Sequence, residues 1–162
     1  MLARFIAIAG ALLMLAACSS APEQPAGGPG GPGGPGGISG SRFGPGSQQD
    51  LAATAGDRVF FEYDQSDISS EGQQILQRQA EWLKRYANVG VTIEGHCDER
   101  GTREYNLALG ERRAQAVKNV LVALGIPASR ISTISYGKER PEIPHSDETS
   151  YAQNRRGVTT VN

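Results

Sequence analysis

The greatest concentration of reactive side chains lies between Ile93 and Ala114, in the string IEGHCDERGTREYNLALGERRA. Six charged or potentially charged side chains fall within the nine residues from His96 to Glu104. Three kinds of chemistry use such residues: a thiol nucleophile paired with histidine, a metal centre, and the binding of a charged ligand. The spacing of the residues helps to separate these possibilities.

Catalysis and metal binding are the weaker interpretations. His96 and Cys97 are adjacent, and neighbouring side chains of a strand point to opposite faces, so they are poorly placed to pair. His96, Asp98 and Glu99 offer metal ligands, but no second His or Cys cluster has metal-ligand spacing. We therefore predict no catalytic residue, no metal and no cofactor, and we expect Cys97 to be a small buried residue.

Binding of a zwitterion uses the same charges in another way. The loop leads into a predicted helix, whose free backbone amides attract anions. Acidic and basic side chains gather around this helix start: Asp98, Glu99, Arg100, Arg103, Glu104, Arg112 and Arg113. A carboxylate beside a guanidinium fork suits a ligand with one ammonium and one carboxylate group. Mutual salt bridges on a solvated surface explain the spacing equally well, so both interpretations stay open at this point.

The elements that position the loop follow from hydrophobic periodicity. Runs rich in β-branched and aromatic residues predict strands at 58–63, 91–95, 131–136 and 157–161. Apolar stripes predict helices at 71–87 and 106–124, with a short helix at about 147–155. Ser69 or Ser70 is expected to cap the first helix. The order β-α-β-α-β-(α)-β predicts an α+β fold, in which helices pack on one face of a sheet.

The first 56 residues have the composition of targeting and linker segments. Arg4, followed by the apolar stretch Phe5–Ala17, predicts a signal peptide over residues 1–17. The stretch ends in Leu-Ala-Ala-Cys, which resembles the bacterial lipobox, so Cys18 is expected to carry the lipid. The alternative is an ordinary signal peptide followed by a chance cysteine. Residues 18–56 are rich in Gly and Pro and predict a disordered tether, which leaves one ordered domain at 57–162.

Charge and cysteine content limit the remaining possibilities. The formal net charge is -1, which gives no support to a nucleic-acid partner. The chain has two cysteines. Once Cys18 is modified, Cys97 has no partner for an internal disulfide, so we expect a free thiol there.

A longer set of spaced residues matches a known family motif. The motif reads Gly-His-small-Asp, then Gly, then Tyr-Asn-x-x-Leu, then Arg-Ala-x-x-Val. This chain supplies Gly95, His96, Asp98, Gly101, Tyr105, Asn106, Leu109, Arg113, Ala114 and Val117. On these residues the segment 57–162 resembles the OmpA-like peptidoglycan-binding domain family. The resemblance implies a β-α-β-α-β two-layer sandwich with a mixed sheet. Cys97 departs from the family pattern, which usually has Thr or Ala at that position.

The resemblance also implies a ligand. The family binds peptidoglycan without covalent chemistry, at the zwitterionic side-chain end of meso-diaminopimelate in the stem peptide. By position, Asp98 would hold the ammonium group and Arg113 the carboxylate. The other implied pocket residues are Tyr63, Asp64, Thr102 and Asn106, of which Asn106 could instead cap the helix. The family pattern gives His96 and Arg112 a supporting role more than a contact.

Partners and location are implied in the same way. The family includes outer-membrane lipoproteins, and Ser19, the residue after the lipidated cysteine, implies sorting to that membrane. The domain would then lie on its periplasmic face, anchored through Cys18. A second implied partner is the periplasmic propeller protein TolB, with other components of the Tol system, in envelope integrity and outer-membrane constriction at cell division. The alternative is a protein-interaction module whose main partner is TolB.

Overall fold

The computed structural model describes residues 43–162. The helices are α1 (Gln48–Thr54), α2 (Ser70–Arg85), α3 (Arg103–Ala123) and α4 (Glu148–Asn154). The strands are β1 (Arg58–Phe60), β2 (Val91–His96), β3 (Ile131–Gly137) and β4 (Arg156–Val161). No helix among these residues is long and apolar enough to cross a membrane. The predicted signal peptide, the predicted lipidation site Cys18 and most of the predicted tether lie outside the described residues.

The four strands form one mixed sheet in the order β1-β4-β2-β3. Strand β4 is antiparallel to both β1 and β2, whereas β2 and β3 are parallel. A parallel pair requires a crossover connection, which α3 supplies between β2 and β3. The predicted α+β fold with a mixed sheet is therefore confirmed.

Helices α2 and α3 pack on the same face of the sheet and enclose the core. Val91 and Ile93 alternate along β2 and are fully buried beneath the helices. Leu83 of α2 and Leu121 of α3 are equally buried, and each such side chain stabilises the fold by about 1.5–3 kcal/mol. Ser69 caps α2, as predicted, because its hydroxyl accepts the N–H of the third helical residue.

Two glycines set the closest approach between the sheet and α3. A Cβ atom on Gly95 would lie 1.8 Å from the carbonyl oxygen of Gly110, a distance that no packed carbon can adopt. A Cβ atom on Gly110 would lie 2.3 Å from the hydroxyl oxygen of Ser135. The backbone of α3 therefore rests directly on the end of β2, which fixes the start of the helix beside the charged loop.

The predicted tether boundary is wrong, because the ordered domain begins before residue 57. Helix α1 lies within the segment 18–56 and is capped by the Ser47 hydroxyl. Leu51 is fully buried in the core, and the Trp82 indole Nε1 donates to the buried Asp50 carboxylate at 3.0 Å. These contacts attach α1 to α2.

Two other predicted boundaries near the charged loop also need correction. Strand β1 ends at Phe60, three residues early, and the chain then turns at Asp64, whose backbone has a left-handed φ of 56°. Helix α3 starts three residues before the predicted position, because the Thr102 hydroxyl accepts the N–H of Tyr105 at 3.2 Å. Asn106 is therefore not the helix cap and lies in the first turn of α3.

Candidate functional site

A pocket of about 180 Å³ lies where β2 ends and α3 begins. Its walls are formed by Tyr63, Asp64, Cys97, Asp98, Arg100, Gly101, Tyr105, Asn106, Leu109, Arg113 and Arg155. Two of these side chains are carboxylates and three are guanidinium groups. Both signs of charge therefore meet in one small cavity, the arrangement that complements a zwitterion.

Asp98 is only 4% exposed, and its carboxylate already accepts three hydrogen bonds. The Arg100 backbone N–H donates to Oδ1 at 3.1 Å, and the Arg100 guanidinium donates to Oδ2 at 2.6 Å. The Arg155 guanidinium donates to Oδ2 at 3.3 Å. Burial alone would raise the pKa of Asp98, but the bonds from Arg100 and Arg155 outweigh it and hold the pKa below its usual value. Asp98 is therefore a carboxylate at neutral pH.

Arg113 is fully buried, and its guanidinium group donates to three backbone carbonyls. The acceptors are Gln65 at 2.8 Å, His96 at 2.8 Å and Glu62 at 3.1 Å. Burial lowers the pKa of Arg113 from its usual value. Arg113 thus ties the β1–α2 loop to the end of β2 while it lines the pocket.

Two tyrosine rings contact Arg100 at the rim of the pocket. The Arg100 guanidinium carbon lies 4.1 Å from the ring centre of Tyr63 and 4.5 Å from that of Tyr151. Each such cation–π contact stabilises by about 0.5–1 kcal/mol at an exposed site. Glu148 accepts a further bond from Arg100 at 3.3 Å. Together with Asp98, these groups fix the position of the Arg100 side chain.

The mouth of the pocket is closed on one side by a bond between Tyr105 and Asp64. The Tyr105 hydroxyl donates to the Asp64 carboxylate, which raises the pKa of Tyr105. Asn106 also lines the pocket and donates to the carbonyls of Arg100 at 2.8 Å and Thr102 at 3.1 Å. Asn106 therefore braces the charged loop from inside.

Five of the six residues predicted to bind the ligand line the pocket: Tyr63, Asp64, Asp98, Asn106 and Arg113. The sixth, Thr102, lies outside the lining and caps α3. Six further lining residues were not among the predicted ligand-binding residues: Cys97, Arg100, Gly101, Tyr105, Leu109 and Arg155. Tyr105 and Leu109 are part of the family motif and could have been found from it. Arg155 follows α4 in the string Asn154-Arg155-Arg156, which the family resemblance also includes, but no spacing relates it to the loop.

His96 and Cys97 are not arranged as a nucleophilic pair. The His96 ring packs against Tyr136, with ring centres 5.5 Å apart, and neither ring nitrogen has a hydrogen-bond partner. Burial, together with the positive charge of Arg156, lowers the pKa of His96 to about 4. The Cys97 thiol donates to the Asn106 carbonyl at 3.4 Å, and burial raises its pKa. A neutral imidazole and a protonated thiol are packing groups under these conditions.

No group of three or more His, Cys, Asp or Glu side chains could hold a metal ion in the part of the chain that the structure describes. The fold and the pocket define the class of protein. It is an α+β domain with a mixed sheet, two helices on one face and a preformed charged pocket. A sequence model of the OmpA family matches residues 60–155, and the chain belongs to that family.

Curated proteins named peptidoglycan-associated lipoprotein are similar to this chain. The protein from Agrobacterium fabrum is 57% identical over 117 residues, which are 72% of this chain and 66% of that protein. The protein from Pasteurella multocida is 40% identical over 157 residues, which are 97% of this chain and 96% of that protein. The second match spans nearly the full length of both chains.

Solved structures give the same picture of the fold. The crystal structure of the peptidoglycan-associated lipoprotein from Burkholderia pseudomallei has a TM-score of 0.64 and 40% identity. The match covers 65% of this chain and 90% of the Burkholderia chain. The C-terminal domain of Helicobacter pylori MotB has a TM-score of 0.61 at 22% identity, over 65% of this chain and 84% of that chain. The MotB likeness shows the fold alone.

Proposed function

We propose that this chain is an outer-membrane lipoprotein whose domain binds peptidoglycan non-covalently in the charged pocket. The observation that carries the proposal is the meeting of two carboxylates and three guanidinium groups in one cavity of about 180 Å³. Similar proteins bear the name peptidoglycan-associated lipoprotein. The function is binding without catalysis, in keeping with a protonated thiol at Cys97 and a neutral imidazole at His96.

The proposed ligand group is the zwitterionic end of meso-diaminopimelate. Asp98 takes the ammonium group, with Asp64 as a second carboxylate at the mouth. Arg113 takes the ligand carboxylate: arginine has five N–H donors, and backbone carbonyls accept three bonds from them. Tyr63 and Asn106 complete the walls, and Thr102 shapes the loop backbone. Because Asp98 already holds Arg100, the ligand ammonium must share or displace that contact.

The proposed location is the periplasmic face of the outer membrane. The lipobox-like sequence that ends in Cys18 supports a lipid anchor, and the Gly/Pro-rich residues after it support a tether. Each buried lipid methylene contributes about 0.8 kcal/mol, so more than one acyl chain on Cys18 gives stable anchoring. The anchor would hold the domain at the membrane while the pocket binds the cell wall.

We further propose that the protein acts in the Tol–Pal system, with TolB and other components, in outer-membrane constriction during cell division. Two large aromatic side chains that line the pocket are exposed, Tyr63 and Tyr105. Exposed aromatics beside charged groups suit a protein interface. A partner seated on this rim would compete with the ligand. Competition between TolB and a diaminopimelate stem peptide for the purified chain tests this part of the proposal.

The test of the binding proposal is co-sedimentation with protein-free sacculi. Asp98→Asn keeps the shape of the side chain but removes the charge that the ammonium group requires. We expect at least about a tenfold loss of binding, as for a lost charge-assisted pair. Glu81→Gln on the exposed surface of α2 removes one negative charge elsewhere and is the matched control. Equal sedimentation of both variants would refute the site, and no sedimentation of the parent chain would refute peptidoglycan binding.

A further inference from the structure

A second cavity lies beside the charged pocket, and we call it the side pocket. It has a volume of about 170 Å³ and is lined by Glu99, Lys138, Pro141, Ile143, Pro144, His145, Tyr151 and Asn154. Most of its wall is apolar or aromatic, and the cation at its edge is Lys138. Nothing in the proposed function so far uses these residues.

Lys138 is held against the loop that forms the charged pocket. Its Nζ atom donates to the carbonyl of Gly101 at 2.7 Å and to the carbonyl of Glu99 at 3.0 Å. Gly101 also lines the charged pocket, so only the backbone of the loop separates the Lys138 ammonium group from that pocket. An ammonium group has three donors, and two are used here. The third is available for an anion.

The nearby carboxylate of Glu99 attracts Lys138 but forms no ion pair with it. It accepts the hydroxyl of Tyr151 at 2.7 Å, and its pKa is lowered by bonds from Ser146 and Tyr151. Lys138 forms no ion pair with any carboxylate in the described segment 43–162. The half-buried Lys138 ammonium group therefore lines the side pocket with one N–H donor that no carboxylate accepts.

Tyr151 connects the two cavities. Its ring lies 4.5 Å from the guanidinium carbon of Arg100, which lines the charged pocket, and the same side chain lines the side pocket. A ligand chain that leaves the charged pocket over Arg100 would reach Tyr151 and then Lys138. The prolines Pro141 and Pro144 would then contact its methylene groups.

We infer that the side pocket binds the residue preceding diaminopimelate in the stem peptide, and that Lys138 pairs with its free carboxylate. The inference rests on the proposed function. In the stem peptide, D-glutamate is joined to diaminopimelate through its γ-carboxyl group, so its α-carboxylate stays free. About ten bonds separate that carboxylate from the far end of diaminopimelate, a contour length of about 15 Å at roughly 1.5 Å per bond, so a folded-back chain can span two neighbouring pockets. Lys138 thus acts as a specificity determinant for acidic over amidated stem peptides.

The experiment compares two synthetic tripeptides that differ in one group. One is L-Ala-γ-D-Glu-meso-diaminopimelate, and the other carries the α-amide in place of the α-carboxylate. Binding of each to the full chain in detergent is measured by calorimetry. We expect the parent chain to bind the acid about three- to tenfold more tightly than the amide, as for one half-exposed charge pair. Lys138→Ala should reduce this preference to less than about twofold, and Lys138→Arg should keep it.

The outcomes are distinguishable. Equal binding of acid and amide by the parent chain would overturn the inference and leave the proposed function standing. Weaker binding of both peptides by Lys138→Ala, with the preference retained, would also overturn it, because Lys138 would then only support the loop. No binding of either peptide by the parent chain would refute the proposed function itself.

Discussion

Arg155 and Asp98 form a buried ion pair at 3.3 Å, although 57 residues separate them in the chain. The same guanidinium group donates to the Phe61 carbonyl at 3.1 Å and to the Glu148 carboxylate at 2.9 Å. One side chain therefore joins the end of β1, the pocket loop and α4. This arrangement holds the Asp98 carboxylate in place before any ligand enters.

Arg155→Met should both destabilise the domain and weaken sacculus binding. The substitution leaves Arg100 as the remaining cation on the buried Asp98 carboxylate and leaves the Phe61 carbonyl without this donor, which costs about 1–3 kcal/mol. The measurement is urea unfolding of the purified chain, followed by co-sedimentation without urea at a temperature where the variant is folded. Arg58→Met is the matched control, because Arg58 pairs only at the surface and should change stability by less than about 1 kcal/mol. Equal stability of the two variants would contradict the prediction.

Arg113→Ala should lower stability more than a binding-site residue usually does. The substitution leaves the carbonyls of Glu62, Gln65 and His96 without their donor and opens a cavity in their place. Each unpaired buried acceptor costs about 1–3 kcal/mol, so we expect a total loss of about 3 kcal/mol or more. Loss of sacculus binding in this variant is informative only for the folded fraction, which far-UV circular dichroism measures. An unchanged unfolding midpoint would show that the three bonds contribute little.

His96 should make the domain less stable in mild acid. In the unfolded chain histidine protonates near its usual pKa of 6.5, whereas the folded pKa is about 4. Between these values the unfolded state binds more protons, so the free energy of unfolding falls as the pH is lowered from 6.5 to 4. Below pH 4 the loss is complete and His96 causes no further change. The loss is about 3 kcal/mol. The Arg140 backbone and the Glu142 carboxylate favour protonation of the ring, but burial and Arg156 outweigh them.

The comparison with His96→Gln isolates this effect. Urea unfolding is measured for both proteins at pH 7, 5.5 and 4, and the difference in unfolding free energy is plotted against pH. Carboxylates titrate similarly in both proteins, so a slope in the difference over this range reports on His96. Parallel curves would contradict the low pKa.

Gly95→Ala should prevent normal packing of α3 on the sheet. The new methyl carbon would lie 1.8 Å from the Gly110 carbonyl oxygen, and backbone cannot move aside without separating the helix from β2. We expect a loss of roughly 3 kcal/mol or more. Gly44→Ala is the matched control, because no atom lies within 4 Å of the point that its new methyl carbon would occupy. Thermal unfolding of both variants measures the difference, and a small shift for Gly95→Ala would show that the contact relaxes.

Most of the fold could be predicted because the elements of the core carry their own periodicity. Helix α2 and strand β2 have apolar residues at the spacing of their buried faces, so their predicted bounds differ from the observed ones by at most two residues. Helix α1 was missed because Leu51 is the one large apolar side chain in its seven residues. The helix is stabilised by tertiary contacts such as the Trp82 bond to Asp50, and helix propensity alone cannot predict such contacts.

The candidate site could be predicted in part. The family resemblance implies that Asp98 and Arg113 share one pocket, and both side chains line it. The place of Arg155 could not be predicted, because it depends on how α4 and β4 return across the sheet. The spacing of the charges left mutual salt bridges open as an interpretation, but it did not indicate that Arg100 in particular contacts Asp98, at 2.6 Å. Such contacts are set by side-chain packing and not by spacing.

Helix α1 has a mechanical consequence. Asp50 and Leu51 fasten it to the rest of the domain, so tension on the chain ahead of residue 43 enters the domain through this helix. Its seven residues span about 10 Å as a helix and about 24 Å when extended. Detachment of α1 alone would therefore lengthen the chain by roughly 14 Å. The segment between the proposed membrane anchor and the proposed cell-wall contact could thus extend under tension by unfolding α1.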